Sequence, residues 1–391
     1  MSDHPVIALL ATHWESKSEE GRFVRQVAGA VAGVADVHVI TPDGSATDTS
    51  TDGVFIRHRL GSPVEAVAEL RRDLLAEGLS RTLDAGSPIP SEAGSLLDQG
   101  LIEPWRGATG VLDELRPSRV VIAGHREIGA LAALDRHDPE VPVTLLALGT
   151  DPATLAFPHF DRLFDRSDSV LTVTEAERKV VVDHHGRPEV VHRVGAPMAA
   201  NPSALSEPNT WVGETDYVLV LTGVDEDADT EENELARLLR MRFPDNPVGI
   251  AHNDAFCAWR HGQVTKGWPI ERSSDLDRLM AWARVTVDLH PGRFFARRCV
   301  TSLLYGTPIV VPDGSRAREH AERGRGGLWF ANAAELAWCV EALLDPTARA
   351  AFSAQGLAYA EEEYGSTDRF IDRVVDACGL AATDRPAPVR T

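Results

Sequence analysis

The sequence predicts an α/β protein of two nucleotide-type domains with helices at its C-terminal end. Three observations predict it. Short apolar runs alternate with stretches of helical period along most of the chain, the pattern of parallel strands joined by crossover helices. The alternation breaks in residues 197–215, which are rich in Pro, Ser and Asn, and restarts at Tyr217, as expected of a domain linker. At 391 residues the chain is also too long for one ordinary core. The expected division is a first domain over 1–198, a linker over 199–215 and a second domain over 216–391.

The clearest unit is Val285–Gly314. Val285–Leu289 reads as a buried strand and His290-Pro291-Gly292 as a turn. A helix is expected from about Phe294 to Tyr305, a tight turn at Gly306-Thr307-Pro308, and a second strand over Ile309–Val311. This is a βαβ unit with a ligand-binding type of loop at each strand's carboxyl end.

The first half opens with a strand over Pro5–Thr12, a polar loop over His13–Gly21, a helix over Arg22–Val34 and a strand over Val37–Ile40. Residues 43–53 read as a surface loop, Val54–Arg59 as a strand and Val64–Leu83 as a helix. Residues 84–94 are rich in breakers. Leu96–Leu115 carries a helical pattern interrupted at Pro104 and Gly107. Strands follow at Arg119–Ala123, Val141–Leu148, Asp168–Val173 and Val190–Val194. A helix begins at Ile128, and Thr174-Glu175-Ala176-Glu177 reads as a helix N-terminus.

In the second half, strands are expected at Tyr217–Thr222 and Val248–Ala251 around a helix over Glu231–Phe243. Ser273–Leu276 caps a helix running to Ala283. After the βαβ unit come a helix from Arg316, a strand over Gly327–Phe330, and helices over Ala333–Leu344, Thr347–Tyr364 and Ser366–Ala377.

Composition narrows the function classes. The net charge of −20 argues against nucleic acid and against a basic membrane-docking face. No run reaches the roughly 18 apolar residues of a membrane span. The N-terminus lacks a basic region, so no signal peptide is expected. Cys257, Cys299, Cys339 and Cys378 are widely spaced with no CxxC, which suits reduced thiols in the cytoplasm rather than zinc or a disulfide framework.

The ordered series is more specific than any single motif. RPSRVVIAGH, VPVTLLALGTDP and SVLTVTEAERKVVVDHHGRPEVVHRVGAP are followed by SSDLDRLMAWARVTVDLHP, LLYGTPIVVPDG and FANAAELAWCVEALLDPTARAAFSAQG. This series resembles group 1 (family 4) retaining glycosyltransferases over nearly the whole chain. The resemblance implies the GT-B fold, in which two Rossmann-like domains face each other across a cleft, with a C-terminal helical tail. It implies a nucleotide-sugar donor and an acceptor that is a glycan, a lipid or a small molecule. It implies no metal or other cofactor, and a protein partner or a homodimer as further partners.

The family's functional positions are changed here. The two Glu residues before its Gly-Thr-Pro turn match Arg293 and Thr301, neither of which is a carboxylate. Its Arg and Lys diphosphate clamp matches Gly223–Thr230, which holds Asp225, Glu226, Asp227 and Asp229 and no basic residue. Its glycine pair after the first strand is replaced by Ser18-Glu19, with Gly21 and His13 in the same loop. His125 matches the His placed beneath the reacting sugar and is the catalytic candidate. Gly314, Ser315 and Arg316 match the phosphate-facing loop and helix start. The donor or anion set is therefore Arg293, Thr301, Gly314, Ser315 and Arg316, with Arg297, Arg298 and Arg318 nearby.

His184-His185 reads as a solvated helix end rather than a metal pair, because no carboxylate or third His has matching spacing. Asp225–Asp229 lacks the Gly and Glu spacing of a calcium loop. Two functions follow from the resemblance. One is sugar transfer from an activated donor to an envelope-glycan, glycolipid or natural-product acceptor. The other is an inactive GT-B scaffold that partners or regulates an active transferase. A sugar-nucleotide epimerase fits the tail and linker less well.

Overall fold

The computed structural model describes residues 4–12, 14–15, 18–42, 48–60, 105, 107–124, 128–150, 155, 158–206, 217–223, 230–252, 255–260, 263–270, 273–290 and 295–380. The chain forms two compact units, Met1–Ala196 with Asp368–Thr391, and Pro197–Thr367.

The first unit contains β1 (Val6–Leu10), α1 (Glu19–Ala32), β2 (Asp36–Thr41), β3 (Asp48–Asp52), β4 (Phe55–Arg59), α2 (Ala108–Leu115), β5 (Arg119–Ala123) and α3 (Ile128–His137). It continues through β6 (Val143–Leu146), α4 (Pro158–Arg166), β7 (Ser169–Thr172), α5 (Glu175–His185) and β8 (Val191–Arg193). The sheet order is β3-β4-β2-β1-β5-β6-β7-β8. Its pairs are parallel except β3 with β4. Val120, Ile122, Val143, Leu145 and Val170 are buried from water, each such aliphatic side chain contributing roughly 1.5–3 kcal/mol. Four-residue strands buried at every position, such as β6 and β7, are what a parallel sheet covered on both faces requires.

The second unit contains α6 (Pro202–Ser206), β9 (Tyr217–Leu221), α7 (Glu231–Arg242), β10 (Val248–Ala251), β11 (Ala255–Arg260), β12 (Gln263–Pro269), α8 (Ser273–Trp282) and β13 (Ala283–Asp288). It continues through α9 (Arg297–Leu304), β14 (Ile309–Pro312), α10 (Arg318–Arg323), β15 (Gly327–Phe330), α11 (Ala333–Leu344) and α12 (Pro346–Glu363). The sheet order is β12-β11-β10-β9-β13-β14-β15, with β11 antiparallel to both neighbours. A Cβ added at Gly326 would lie 2.6 Å from the Gly356 Cα, so α12 meets the start of β15 through two residues without side chains.

Three features differ from the sequence expectation. Residues 48–52 are a strand, not loop: Asp52-Gly53-Val54 turns with Gly53 at φ +62°, and the polar run before it pairs with β4. A hairpin's polar edge strand carries no apolar alternation to betray it. Second, β11 and β12 extend the second sheet where no strand was expected. Phe256 and Ala258 alternate inward, and the Phe256 ring fills the space above Gly249. Third, helix α13 (Thr367–Ala377) lies almost entirely in the first unit rather than the second, where the sequence division had put it. Its buried face is Phe370, Val374 and Val375, with the Phe370 ring 6.1 Å from that of Phe23 in α1. Helical period marks that apolar face but not the partner that covers it.

The expected helix over Val64–Leu83 lies outside the described residues. So does the part of the Leu96–Leu115 pattern preceding Trp105.

Candidate functional site

In each sheet the chain runs outward in one direction from its first strand and then returns to the other side. The switch falls between β1 and β5 in the first unit and between β9 and β13 in the second. Open α/β sheets bind ligands at the carboxyl ends of the strands beside such a switch.

At the second switch, β9 ends at Leu221 and is followed by Thr222 and Gly223; β13 ends at Asp288 and is followed by Leu289 and His290. Asp288 is fully buried. A charge there needs partners, and it has several. Arg298, in the first turn of α9, donates from Nε to Oδ2 at 3.1 Å and from Nη2 to Oδ1 at 2.8 Å. The His290 backbone N–H donates at 3.2 Å, and the Cys299 thiol lies 3.6 Å away. Burial pushes the Asp288 carboxyl up, while Arg298 and these donors pull it back. Arg298 also donates to the His290 carbonyl. A bidentate pair between the buried Asp288 and the half-buried Arg298 thus ties the end of β13 to the start of α9.

The residue before that helix is held unusually. Ala296 adopts the left-handed conformation at φ 54°, ψ 49°, and is buried. A non-glycine residue is rarely found there, and such strain gathers at functional loops. The Phe295 carbonyl just before Ala296 is held by His320, whose Nε2 lies 3.0 Å away and whose Nδ1 lies 3.2 Å from the Tyr359 hydroxyl. The carbonyl can only accept, so His320 carries its proton on Nε2.

Glu232, in the first turn of α7, completes the group. Its Oε2 accepts from the Gly223 N–H at 2.9 Å, and its Oε1 lies 3.1 Å from His290 Nδ1. A Cβ on Gly223 would lie 2.6 Å from the His290 ring, so this approach needs glycine. The helix dipole also favours a carboxylate at this end of α7. His290 is 60% exposed and Glu232 22%. Beside them, Thr222 Oγ1 and His252 Nδ1 lie 3.0 Å apart, both buried. The result is a polar cluster of Gly223, Glu232, Asp288, His290 and Arg298 at the place where the fold offers a ligand site.

The sequence-selected residues are distributed as follows. Thr301 is buried in α9 at 7% exposure. Gly314 is exposed in the turn after β14. The Ser315 hydroxyl donates to the Pro312 carbonyl at 2.7 Å. Arg316 precedes α10, which starts at Arg318 rather than at Arg316. The N–H groups of Arg318, Glu319 and His320 bond to the carbonyls of Ser315, Arg316 and Ala317 at 3.0–3.2 Å, so that short turn is closed upon itself. Arg318 pairs with Asp313 and Glu322, and its guanidinium lies 5.0 Å from the Trp329 ring centre. Gly21 lies inside α1, not in the loop before it, and donates its N–H to the Ser18 cap at 3.1 Å. His13, His125 and Arg293, and the acidic run Val224–Asp229, lie outside the described residues.

Sequence reasoning missed Asp288, His290 and Glu232. One signal existed: Asp288 interrupts the apolar run VTVDL, and a carboxylate inside a buried strand demands a partner. Glu232 had no comparable signal, since an acid in the first turn of a helix is ordinary.

No family model and no curated protein sequence matches this chain. Solved structures do. An α,α-trehalose-phosphate synthase (UDP-forming) from Burkholderia vietnamiensis matches with a TM-score of 0.66 at 11% identity, covering 96% of this chain and 100% of that one. The E. coli trehalose-6-phosphate structure solved with UDP-2-fluoro glucose bound matches with a TM-score of 0.67 at 10% identity, over 96% and 99%. Sucrose-phosphate synthase from Thermosynechococcus elongatus matches with a TM-score of 0.59 at 13% identity, over 94% and 97%. The fold is therefore the two-domain GT-B fold of glycosyltransferases, as the resemblance implied.

Proposed function

We propose that this protein is a glycosyltransferase that takes a nucleotide-sugar donor at the carboxyl edge of its second sheet. The carrying observation is the polar switch-point cluster of Gly223, Glu232, Asp288, His290 and Arg298, set in a fold matched from end to end by synthases described as UDP-forming or solved with a UDP-sugar. The acceptor belongs to the sugar-phosphate, envelope-glycan, glycolipid or natural-product classes. The reaction runs in the cytoplasm. No helix among the described residues is long and apolar enough to cross a membrane.

The chemistry assigned to the cluster is anion exchange. A donor diphosphate and the Glu232 carboxylate are both acceptors for the Gly223 N–H, so the nucleotide displaces Glu232 as it binds. His290, exposed and next to Glu232, then meets the phosphate, and Arg293 and Arg316 supply the cations that the acidic loop lacks. Preorganised donors of this kind stabilise the charge on a departing phosphate.

A second reading has an observation of its own. Gly223, Arg298 and Arg318 are each engaged by the protein's own carboxylates, from Glu232, Asp288 and Asp313, and Arg293 and Thr301 stand where the resembled family has two Glu residues. That is what an inactive GT-B scaffold would look like. Calorimetric titration against UDP-, GDP-, dTDP- and ADP-sugars separates the two. The donor reading expects saturable binding of one nucleotide, tighter in Glu232→Gln and lost in Arg293→Ala/Arg316→Ala. No binding by wild type or Glu232→Gln at millimolar donor would make the scaffold reading the working one.

A further inference from the structure

Sequence spacing gives His184-His185 no third ligand, but the fold supplies one. Helix α4 lies beside the end of α5 and brings Asp161, 23 residues earlier, to 3.1 Å between its Oδ1 and His184 Nε2. One donor atom from each of Asp161, His184 and His185 falls within 4.8 Å of the other two. The geometry points to a divalent transition-metal site formed by Asp161, His184 and His185 at the surface of the N-terminal unit.

The His185 ring is held in place. It lies 4.2 Å from the Phe164 ring and 4.6 Å from the His184 ring, the latter edge-on at 77°. Its Nε2 is buried and has no hydrogen-bond partner among the described residues, which is unusual for a nitrogen that must donate or accept. Asp165, one turn further along α4, adds a second negative charge near His185. The nearby cation, Arg187, donates to the Phe164 carbonyl at 3.4 Å and lies 4.0 Å from Glu189.

Donor atoms held about 2.0–2.2 Å from a common ion sit roughly 3–3.5 Å apart. The Asp161–His184 pair already has that spacing. Closing His185 onto it needs a shift of about an ångström at the end of a helix, where the chain turns at Gly186 with φ 65°. Two imidazoles and one carboxylate select zinc, nickel, cobalt or copper over magnesium or calcium, which prefer oxygen. Asp161 and His184 are exposed, so the remaining positions on the ion are filled by water or by a ligand from outside. Such an ion would cross-link α4 to the C-terminal end of α5 and would bind the folded unit in preference to the unfolded chain. The site is independent of the donor reading.

The test uses the full chain without a histidine tag, stripped with EDTA and titrated with zinc alone, with magnesium as the comparison ion. Calorimetry should show one saturable zinc site. With free zinc about 100-fold above its Kd, the melting temperature should rise by roughly 5 °C. Asp161→Asn/His184→Gln should lose both the site and the shift while melting at the wild-type temperature without metal, because both side chains are exposed. Cobalt gives an independent readout: its visible absorption should reach an end point at one equivalent in wild type and be absent in the variant. An equal zinc response in wild type and variant would mean scattered binding by the other histidines and would overturn the site. Absence of a saturable response in wild type would do the same. If the double variant melts lower without metal, His184→Gln alone takes its place in the same comparison.

Discussion

In each unit a buried carboxylate lies near the ends of the parallel strands, Glu177 in the first and Asp288 in the second, and the two are satisfied in different ways. In the N-terminal unit Glu177, 1% exposed, accepts from the Thr150 N–H and the Val173 N–H, both at 2.9 Å. It joins the loops after β6 and β7 using backbone donors. In the C-terminal unit Asp288 relies on a guanidinium, and Arg298 is itself 28% exposed. In the first arrangement the donors are backbone N–H groups that belong to the frame. The second places a cation and a strained residue, Ala296, beside the strand end at which open α/β sheets bind ligands. A clamp made of backbone fixes a joint, whereas a clamp made of a side chain at the surface also positions a charge.

The largest effect expected from this difference comes from Arg298→Ala. Removing the guanidinium leaves Asp288 buried with its charge unpaired, a change that costs about 3–5 kcal/mol in comparable pairs. Chemical denaturation should show that loss, and Arg298→Ala/Asp288→Asn should recover much of it. A loss below about 1 kcal/mol would show that Asp288 does not depend on the cation. Next comes Glu177→Gln. The amide keeps one acceptor and sets an N–H₂ against the other backbone donor, a loss of roughly 2 kcal/mol. Here no compensating charge deletion should rescue stability, which distinguishes the backbone clamp from the ion pair.

Gly356→Ala follows, at about 1–2 kcal/mol, because the new methyl meets the Gly326 Cα at 2.8 Å and Leu303 at the same distance. It should lower stability without changing donor binding, and a matching loss of binding would show that the switch point depends on the packing of α12 against β15. The smallest effect concerns His38 and His58, whose Nδ1 and Nε2 lie 2.9 Å apart on β2 and β4. Burial lowers both below the ordinary value of 6.5, and His38 lowers His58 further. Between the folded and ordinary values the unfolded chain binds more protons, so stability falls as pH drops below 6.5 and is recovered above it. Melting temperatures across that range should slope less in His38→Gln/His58→Gln.

Much of the fold was legible because strand burial writes itself into composition. Arg119–Ala123, Tyr217–Leu221 and Ile309–Pro312 lie where apolar runs had put them, and Thr174 caps α5 as expected, accepting from the Glu177 N–H at 3.1 Å. The candidate site was less legible. The motif positions point to loops at strand ends, because a ligand loop follows from where a parallel strand ends. They did not identify the group that occupies the second switch point. Gly223, Glu232, Asp288 and His290 are spread over nearly 70 positions, and nothing in a sequence of that spread says which carboxylate reaches which N–H.

The sequence by itself determined the alternation of strands and helices, the restart at Tyr217 and the GT-B resemblance, because each depends on hydrophobic period and order along the chain. Only the tertiary structure decided that α13 belongs with the N-terminal unit, that Arg298 is bound to Asp288, and that Asp161 stands against His184. Periodicity records which face of an element seeks burial. It does not record which partner covers that face, and the pairing of charges depends on distances that exist only once the chain has closed.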